Sequence, residues 1–261
     1  MTHTHTSRRW RRSGAALLLA AGVVLATGGF AYGQDMPTGA AARDVEALAC
    51  APRAVRALPA SAGVVVGATD RKKNMYATGD TLIIGGFAEG TLAPGQQYFV
   101  RRTPPPADRG QSVETPWIHV HTAGWIRITS VEGDHARASI TYVCDAIDPD
   151  DYLAPFQVPV VPEPLMGERD PDFESPGQVL FGLDRRTNHG GGNYVVVDRG
   201  TDAGVKGGQH VVFFRREGGA SGPRVVLGQG LVMEAGPESA TVLVQTATQP
   251  IYSGDSAAFR R

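Results

Sequence analysis

Clusters of lysine and arginine are absent after residue 33 of this 261-residue sequence, and helical periodicity is almost absent from the same part. Nucleic-acid-binding proteins present a basic face or stripe to the phosphate backbone, so the missing clusters argue against that class. The missing periodicity argues against an α-helical fold. We therefore expect no nucleic-acid partner. We also expect a fold that contains little α-helix.

Catalytic sequence motifs are also missing. The sequence contains no G-x-S-x-G elbow, no H-E-x-x-H motif and no P-loop. The glycines at 190–192 lead into an apolar, strand-like run, whereas a phosphate-binding loop leads into a helix. An Asp-Arg pair occurs once in each half of the chain, at 70–71 and at 184–185. The recurrence favours a structural role in a turn, because a catalytic group needs to appear only once. We expect no catalytic residues, no enzymatic activity and no cofactor.

The first 33 residues have the pattern of a secretory signal peptide. Four arginines precede an apolar run at 15–26, and small residues follow it. The run is shorter than the roughly 20 residues of a spanning helix, although a retained anchor is the alternative. Cleavage would leave 228 residues with a formal charge of −5. We expect a periplasmic or secreted protein that has no membrane contact once the signal is removed.

What remains is typical of an all-β protein. Short runs of valine, isoleucine, phenylalanine and tyrosine are bounded by turn residues, and the chain contains 33 glycines and 18 prolines. The N-terminal segment 34–60 differs, because Val45, Leu48 and Ala49 have helical spacing. They predict one short helix, which would have to dock on another element to be stable.

An internal repeat organises the chain. Residues 79–102 read GDTLIIGGFAEGTLAPGQQYFVRR, and residues 192–216 read GNYVVVDRGTDAGVKGGQHVVFFRR. Matching residues lie 114 apart before this stretch, 113 apart through most of it, and 104 apart from Gly124 onward. The repeats therefore span 61–156 and 175–261. The segment between them, 157–174, is rich in proline and is interpreted as a semi-stiff linker.

Each repeat is predicted to contain six strands that close into a small barrel. In the first repeat we place them near 63–69, 80–85, 96–102, 118–131, 135–144 and 151–156. Alternation in the fifth strand puts Ala136, Ala138, Ile140, Tyr142 and Cys144 on one buried face. Barrel closure would remove exposed strand edges. The predicted fold is all-β: two tandem small β-barrels with a short N-terminal helix and a signal peptide.

The only two cysteines, Cys50 and Cys144, are predicted to form a disulfide if the chain is exported. Cys144 aligns with Thr248 of the second repeat. The second repeat also lacks a counterpart of the N-terminal segment that carries Cys50, so the two special features occur together. The bond would hold the N-terminal helix against the first barrel. Two buried free thiols are the alternative.

Aromatic and imidazole groups concentrate around the unequal loop 103–123. Trp117, His119 and His121 form the predicted contact surface for protein or glycan, together with the strand edges that bear the Arg pairs. Nearby Trp125 belongs either to this surface or to the core, and the Arg pairs could instead be solvated strand ends. His119 and His121 would share one face of a strand and could chelate a metal. A third ligand could come from His135 or a nearby Asp, but no Cys or carboxylate has a compelling spacing and the second repeat has no equivalent, so no metal is expected.

Two resemblances to known families are present. Residues 76–82, YATGDTL, look like the opening of a lysin motif, although the Gly-rich continuation lacks its helices. The whole repeat is similar to the β-domains that accompany lysin motifs in bacterial envelope proteins, and to the C-terminal domain of flagellar assembly protein T. This resemblance implies a periplasmic, non-catalytic envelope or assembly domain. The residues that carry it are Gly200, Gly204, Val205, Gly208, Gly228, Ile251 and Asp255, and more loosely Gly79, Asp80, Gly95, Gly124, Ile147 and Asp151.

These observations predict an exported cell-envelope binding or scaffolding protein that contacts an envelope protein or a cell-wall glycan. Two alternatives remain open: a metal-dependent hydrolase that uses His119 and His121, and peptidoglycan binding through the lysin-like stretch 76–82.

Overall fold

The computed structural model describes Met1, Met36 and residues 40–261, apart from 71, 74, 104–115, 184–185 and 220. The predicted signal peptide and most of the unequal Pro-rich loop lie outside these residues. The following description concerns the unit Tyr32–Arg261, which contains both repeats. No helix in the described part has the length and apolar character needed to span a membrane.

The expected all-β architecture with one short helix is confirmed. The described α-helix and strands of the first half are α1 (Ala40–Cys50), β1 (Arg53–Val55), β2 (Val64–Ala68), β3 (Thr81–Gly85), β4 (Gln97–Arg102), β5 (Ile118–Glu132), β6 (His135–Val143) and β7 (Tyr152–Pro155). Those of the second half are β8 (Gly177–Gly182), β9 (Asn188–His189), β10 (Tyr194–Val197), β11 (His210–Arg216), β12 (Arg224–Ala235), β13 (Ala240–Ala247), β14 (Ile251–Tyr252) and β15 (Ser256–Phe259).

Both repeats have the same antiparallel topology. In the second, the order β10-β13-β12-β11-β15-β8 closes into a barrel. In the first, the sheet runs β1-β5-β4-β7-β2-β3-β6, and an additional β5–β6 pairing joins its ends. The resulting ring, β5-β4-β7-β2-β3-β6, matches the second barrel strand for strand, with β1 added outside it. The strands β9 and β14 form a separate two-stranded sheet.

A bulge in the fifth strand of each repeat changes which side chains face the core. Trp125 pairs with Tyr142 while the next residue, Ile126, pairs with Ile140, so Thr141 is an extra residue. An extra residue reverses the facing of everything beyond it. Ala136, Ala138 and Ile140 therefore lie in the barrel core as expected, whereas Tyr142 and Cys144 lie in an outer cluster. The expected shared face is wrong for these last two residues.

The same bulge explains the isolated glycine that follows the Arg pair in both repeats. A Cβ atom on Gly124 would lie 2.3 Å from the carbonyl oxygen of Tyr142. A Cβ atom on Gly228 would lie 2.2 Å from the carbonyl oxygen of Thr246, the equivalent residue of the second repeat. No real Cβ fits at such distances, so the bulge requires glycine there.

The N-terminal segment is attached to the first barrel by a strand pairing and by the predicted disulfide. Strand β1 pairs with residues 118–120 of β5, beyond the point where β6 ends. Cys144 follows β6 at this point and is bonded to Cys50, with 5.6 Å between their Cα atoms. The bond closes a chain separation of 94 residues, which corresponds to about 4 to 5 kcal/mol in the chain-entropy model.

The Pro-rich segment 157–174 runs along the second barrel. Its Leu165 N–H donates to the carbonyl of Gly208 at 2.8 Å, and its Asp172 N–H donates to the carbonyl of Phe259 at 2.9 Å. Phe173 packs edge-on against Phe214, with ring centroids 5.3 Å apart. The end of this segment is therefore held by the second barrel.

Candidate functional site

Helix α1 lies between the outer faces of the two barrels. Leu48 and Ala51 pack with Tyr194, Leu231 and Met233 of the second barrel. On the other side, Ala49 belongs to the outer cluster of the first barrel, which contains Phe99, Trp125 and Ala154. One short helix thus buries apolar surface of both barrels.

Backbone carbonyls at the free edge of β1 accept hydrogen bonds from hydroxyl groups of the second barrel. Ser239 Oγ donates to the carbonyl of Ala54 at 2.8 Å, and Thr241 Oγ1 donates to the carbonyl of Pro52 at 2.8 Å. Both bonds are buried, where an unpaired carbonyl would be costly. The N-terminal segment therefore joins the barrels through backbone groups as well as apolar contacts.

Charged groups line the same junction. Arg53 pairs with Glu234 at 2.6 Å, and Arg56 pairs with Glu238 at 3.3 Å. Arg101 lies behind them over the ring of Phe99, 4.6 Å from its centroid. Burial, and then the nearby Arg53 guanidinium, lower the pKa of Arg101 to about 10. Three cationic and two anionic side chains thus meet at this part of the junction.

A cleft of about 270 Å³ opens at this junction, between β1 and the turn that joins β12 to β13. We call it the junction cleft. Its lining includes Arg56, Trp117, Pro237 and Glu238. The Arg56 guanidinium lies over the Trp117 ring, 3.7 Å from its centroid. A flat aromatic ring, a guanidinium and a carboxylate thus meet at one half-open site.

The structure separates the three predicted contact residues. Trp117 is partly buried in the junction cleft. His119 stacks on Phe181 of the second barrel, with ring centroids 3.5 Å apart, and burial lowers the pKa of its imidazole. His121 lies within the first barrel's own contacts, with its Nε2 atom 3.0 Å from Oδ2 of Asp145.

The two histidines do not converge on one point. His119 is directed at an aromatic ring and His121 at a carboxylate. Among the residues that the structure describes, no group of three His, Cys, Asp or Glu side chains could hold a metal ion. No observation therefore favours the metal-dependent hydrolase over other functions.

Trp125 is a core residue of the outer cluster and not part of an open surface. Its side chain is buried and stacks on Tyr142 with ring centroids 4.3 Å apart. The helix α1 and the disulfide belong to the same cluster. This aromatic group is what the N-terminal segment docks on.

The two Arg pairs are displaced by one position relative to each other, so the second arginine of the first pair matches the first arginine of the second pair. The strand pairings align Arg102 with Arg215, because Val100 and Phe213 occupy the same place before a bulge. Arg215 makes a bidentate ion pair with Asp255, with both distances 2.6 Å. Arg102 pairs with Asp151, the equivalent residue, at 2.9 Å, and with Asp148 at 2.6 Å. Each of these two arginines therefore forms its ion pair with an aspartate of its own barrel.

Other residues of the shared pattern also have matched turn contacts. The Asp80 carboxylate accepts from the Ala77 N–H at 2.9 Å, and the Asn193 side chain accepts from the Gly190 N–H at 3.1 Å. The side-chain oxygens of Gln96 and Gln209 accept from backbone N–H groups three residues earlier, at 2.7 Å and 3.0 Å. The repeated residues thus specify the turns of the barrel.

The lysin-like stretch 76–82 leads into a barrel strand. Strand β3, which begins at Thr81, pairs with β2 on one side and β6 on the other. Residues 86–96, all described, contain turns and no helix. The two helices that follow this sequence in a lysin motif are therefore absent from the described residues 75–103.

Sequence reasoning missed the second-barrel half of the junction cleft. Ser239 and Ala54 are 185 residues apart, and Thr241 and Pro52 are 189 apart. No local pattern marks such pairs. The one available signal is that Ser239 and Thr241 place hydroxyls around the buried start of β13.

Comparisons of this chain with protein-family models and with curated proteins give no match.

Proposed function

We propose that this chain is an exported, non-catalytic binding or scaffolding protein of the cell envelope. The observation that carries the proposal is the junction: two barrels of one topology are joined through α1 and β1, with a cleft between them. A scaffold of this kind presents a preorganised surface, and preorganisation lowers the entropic cost of binding.

The disulfide supports a location in the periplasm or outside the cell. Disulfides persist in oxidising compartments and are rare in the cytosol of mesophiles. The bond between Cys50 and Cys144 pairs the only cysteines of the chain. The arginine-rich start and apolar run of the first 33 residues agree with this location.

The junction cleft is the proposed contact site for an envelope protein or a cell-wall glycan. Trp117 and Arg56 are of the types that dominate binding energy at protein interfaces. Aromatic rings also offer an apolar face together with a polar edge. The resemblance to envelope β-domains and to the flagellar assembly domain points to the same class of partner.

Site-specific photo-crosslinking in the native host tests this function. A photo-crosslinking residue in place of Glu238, at the rim of the cleft, is expected to give an adduct with an envelope protein. The same residue in place of Lys72, outside the cleft, is the matched control and is expected to give none. Trp117→Ala, combined with the label at 238, is expected to abolish the adduct.

Pelleting with purified cell wall distinguishes the second kind of partner. If the partner is a glycan, the wild-type chain sediments with the wall and Trp117→Ala stays in solution. Equal adducts at both label positions, with no sedimentation, would contradict binding at the junction cleft. Recovery of the intact chain in the cytoplasmic fraction would contradict export.

A further inference from the structure

A second, larger cleft lies on the second barrel. It has a volume of about 410 Å³ and opens between the Pro-rich segment, at Leu165 and Asp172, and the loop that leads from β10 to β11. Leu165, which is 39% exposed, contributes apolar surface to it, whereas Val205 and Phe259 lie at its base and are almost fully buried. Its size falls within the range of small-molecule sites, about 300 to 1,000 Å³. We call it the basic cleft.

Four cationic side chains line the basic cleft: Arg199, Lys206, Arg260 and Arg261. Two carboxylates, those of Glu168 and Asp172, also face it, and both are already engaged. Glu168 accepts from the His210 N–H at 2.9 Å and pairs with the His210 ring. Asp172 pairs with Arg261 and accepts from the Glu174 N–H at 3.2 Å.

The remaining cations have no carboxylate partner in the part of the chain that the structure describes. Neither Lys206 nor Arg260 takes part in a side-chain ion pair or hydrogen bond there. Arg199 donates to a neutral acceptor, the carbonyl of Pro176, at 3.3 Å. Positive charge in the cleft is thus left for a ligand to neutralise.

The first barrel shows that the fold does not require these cations. By the offsets of the repeat, the positions of Arg199, Lys206, Arg260 and Arg261 correspond to Gly86, Ala93, Phe156 and Gln157. The equivalent strands close in the same order without any charge at these four places. Residues that the two barrels share specify the fold. The four cations occur only in the second barrel and lie together in one cleft, which points to a function of that barrel alone.

We propose that the basic cleft binds a small ligand that carries an oxyanion, a carboxylate or a phosphate, on an apolar body. Lys206 and Arg260 bind the oxyanion by charge-assisted hydrogen bonds. Leu165 contacts the apolar part. Trp117 and the junction cleft take no part in this site, so its test is separate from that of the proposed function.

The test is an NMR titration of the full-length chain at low ionic strength, where charge interactions are least screened. The probes are succinate and inorganic phosphate, with succinamide as the uncharged counterpart of succinate. We expect saturable shifts at the backbone amides of Lys206 and Gln209 with at least one charged probe and none with succinamide. The tighter of the two probes identifies the carboxylate or the phosphate as the preferred group.

Variants make the result specific to the cleft. Lys206→Ala combined with Arg260→Ala is expected to weaken binding by about tenfold or more. Lys206→Arg, which keeps the charge, is expected to bind within a few-fold of wild type. Lys72→Ala with Arg216→Ala removes two exposed cations elsewhere and should leave the affinity unchanged. Absence of saturation with both charged probes, or equal weakening by the control pair, would overturn the proposal.

Discussion

Arg102 and Arg215 make the same ion pair in the two barrels, each with the aspartate that follows the fifth strand. These aspartates are buried, and removal of one partner would leave a carboxylate without its cation. Burial raises the pKa of Asp151, with Arg102 acting in the opposite direction. The two groups therefore belong to the framework of the barrel, although their sequence pattern suggested an exposed contact edge.

Arg102→Ala is expected to lower the free energy of unfolding by about 1 to 3 kcal/mol, because it leaves Asp151 unpaired at a site that solvent reaches only in part. Arg216→Ala is the matched control, since Arg216 is exposed and donates only to the carbonyl of Gly222. Urea denaturation measures both. Equal midpoints for the two variants would contradict the structural role of Arg102.

Gly124→Ala is expected to destabilise the first barrel by about 1 to 3 kcal/mol, because the new methyl group overlaps the Tyr142 carbonyl. Gly67→Ala is the control: nothing lies within 4 Å of the position its Cβ would occupy. Thermal unfolding followed by circular dichroism gives the comparison. A midpoint for Gly124→Ala as high as that of Gly67→Ala would show that the bulge does not need glycine.

Acid is expected to destabilise the protein through the half-buried His119 and the buried His189. Burial lowers the pKa of His119, stacked on Phe181, and of His189, which is 2% exposed. A lowered folded-state pKa means that the unfolded chain binds protons more readily, so stability falls as pH drops below the unfolded value of about 6.5. Unfolding midpoints between pH 8 and 5 measure this slope. His119→Phe, which keeps the stack, should make it shallower; an unchanged slope would contradict the assignment.

At the scale of elements, the six strands of the first repeat could be predicted from sequence to within one residue, whereas β1 in the N-terminal segment could not. The six strands expected in the first repeat have bounds that differ from those of β2 to β7 by at most one position at each end. Turn residues explain this accuracy, because Gly79 and Gly95 have positive φ, and Asp80 makes a local hydrogen bond. Local chemistry fixes where each strand begins and ends.

What could not be predicted depends on contacts between distant residues. The bulge at Thr141 reverses the facing of Tyr142 and Cys144, and no local signal marks it except Gly124 on the neighbouring strand. Trp117, predicted as a contact residue, lines a cleft whose other residues come from the N-terminal segment and the second barrel. The basic cleft likewise joins residues of the Pro-rich segment with the chain beyond residue 199.

The segment formed by α1 and β1 depends on the disulfide. Reduction of the Cys50–Cys144 bond, or Cys50→Ser with Cys144→Ser, is expected to lower the free energy of unfolding by up to about 4 to 5 kcal/mol. It should also expose residues 51–62 to limited proteolysis. Titration of thiols in the denatured, unreduced chain is the first measurement, with no free thiol expected. Two free thiols would contradict the bond.

At the scale of the molecule, three kinds of contact join the two barrels. Helix α1 packs on both, β1 is paired to one and hydrogen-bonded to the other, and His119 stacks across the contact. Inter-domain contacts that are small and polar usually permit relative motion, whereas this one combines apolar packing of α1 on both barrels with buried hydrogen bonds and bordering ion pairs. The junction cleft can act as a preformed site only if this contact holds in solution.

The most direct test of this central claim is ¹⁵N relaxation of the full-length chain in its oxidised form. If the N-terminal segment holds the barrels together, amides of β2 to β7 and of β8 to β15 will report one common rotational correlation time, as expected for a single body. Reduction of the disulfide should split it into two values. Two distinct, shorter correlation times in the oxidised chain would contradict a joined double barrel and, with it, a binding site preformed at the junction.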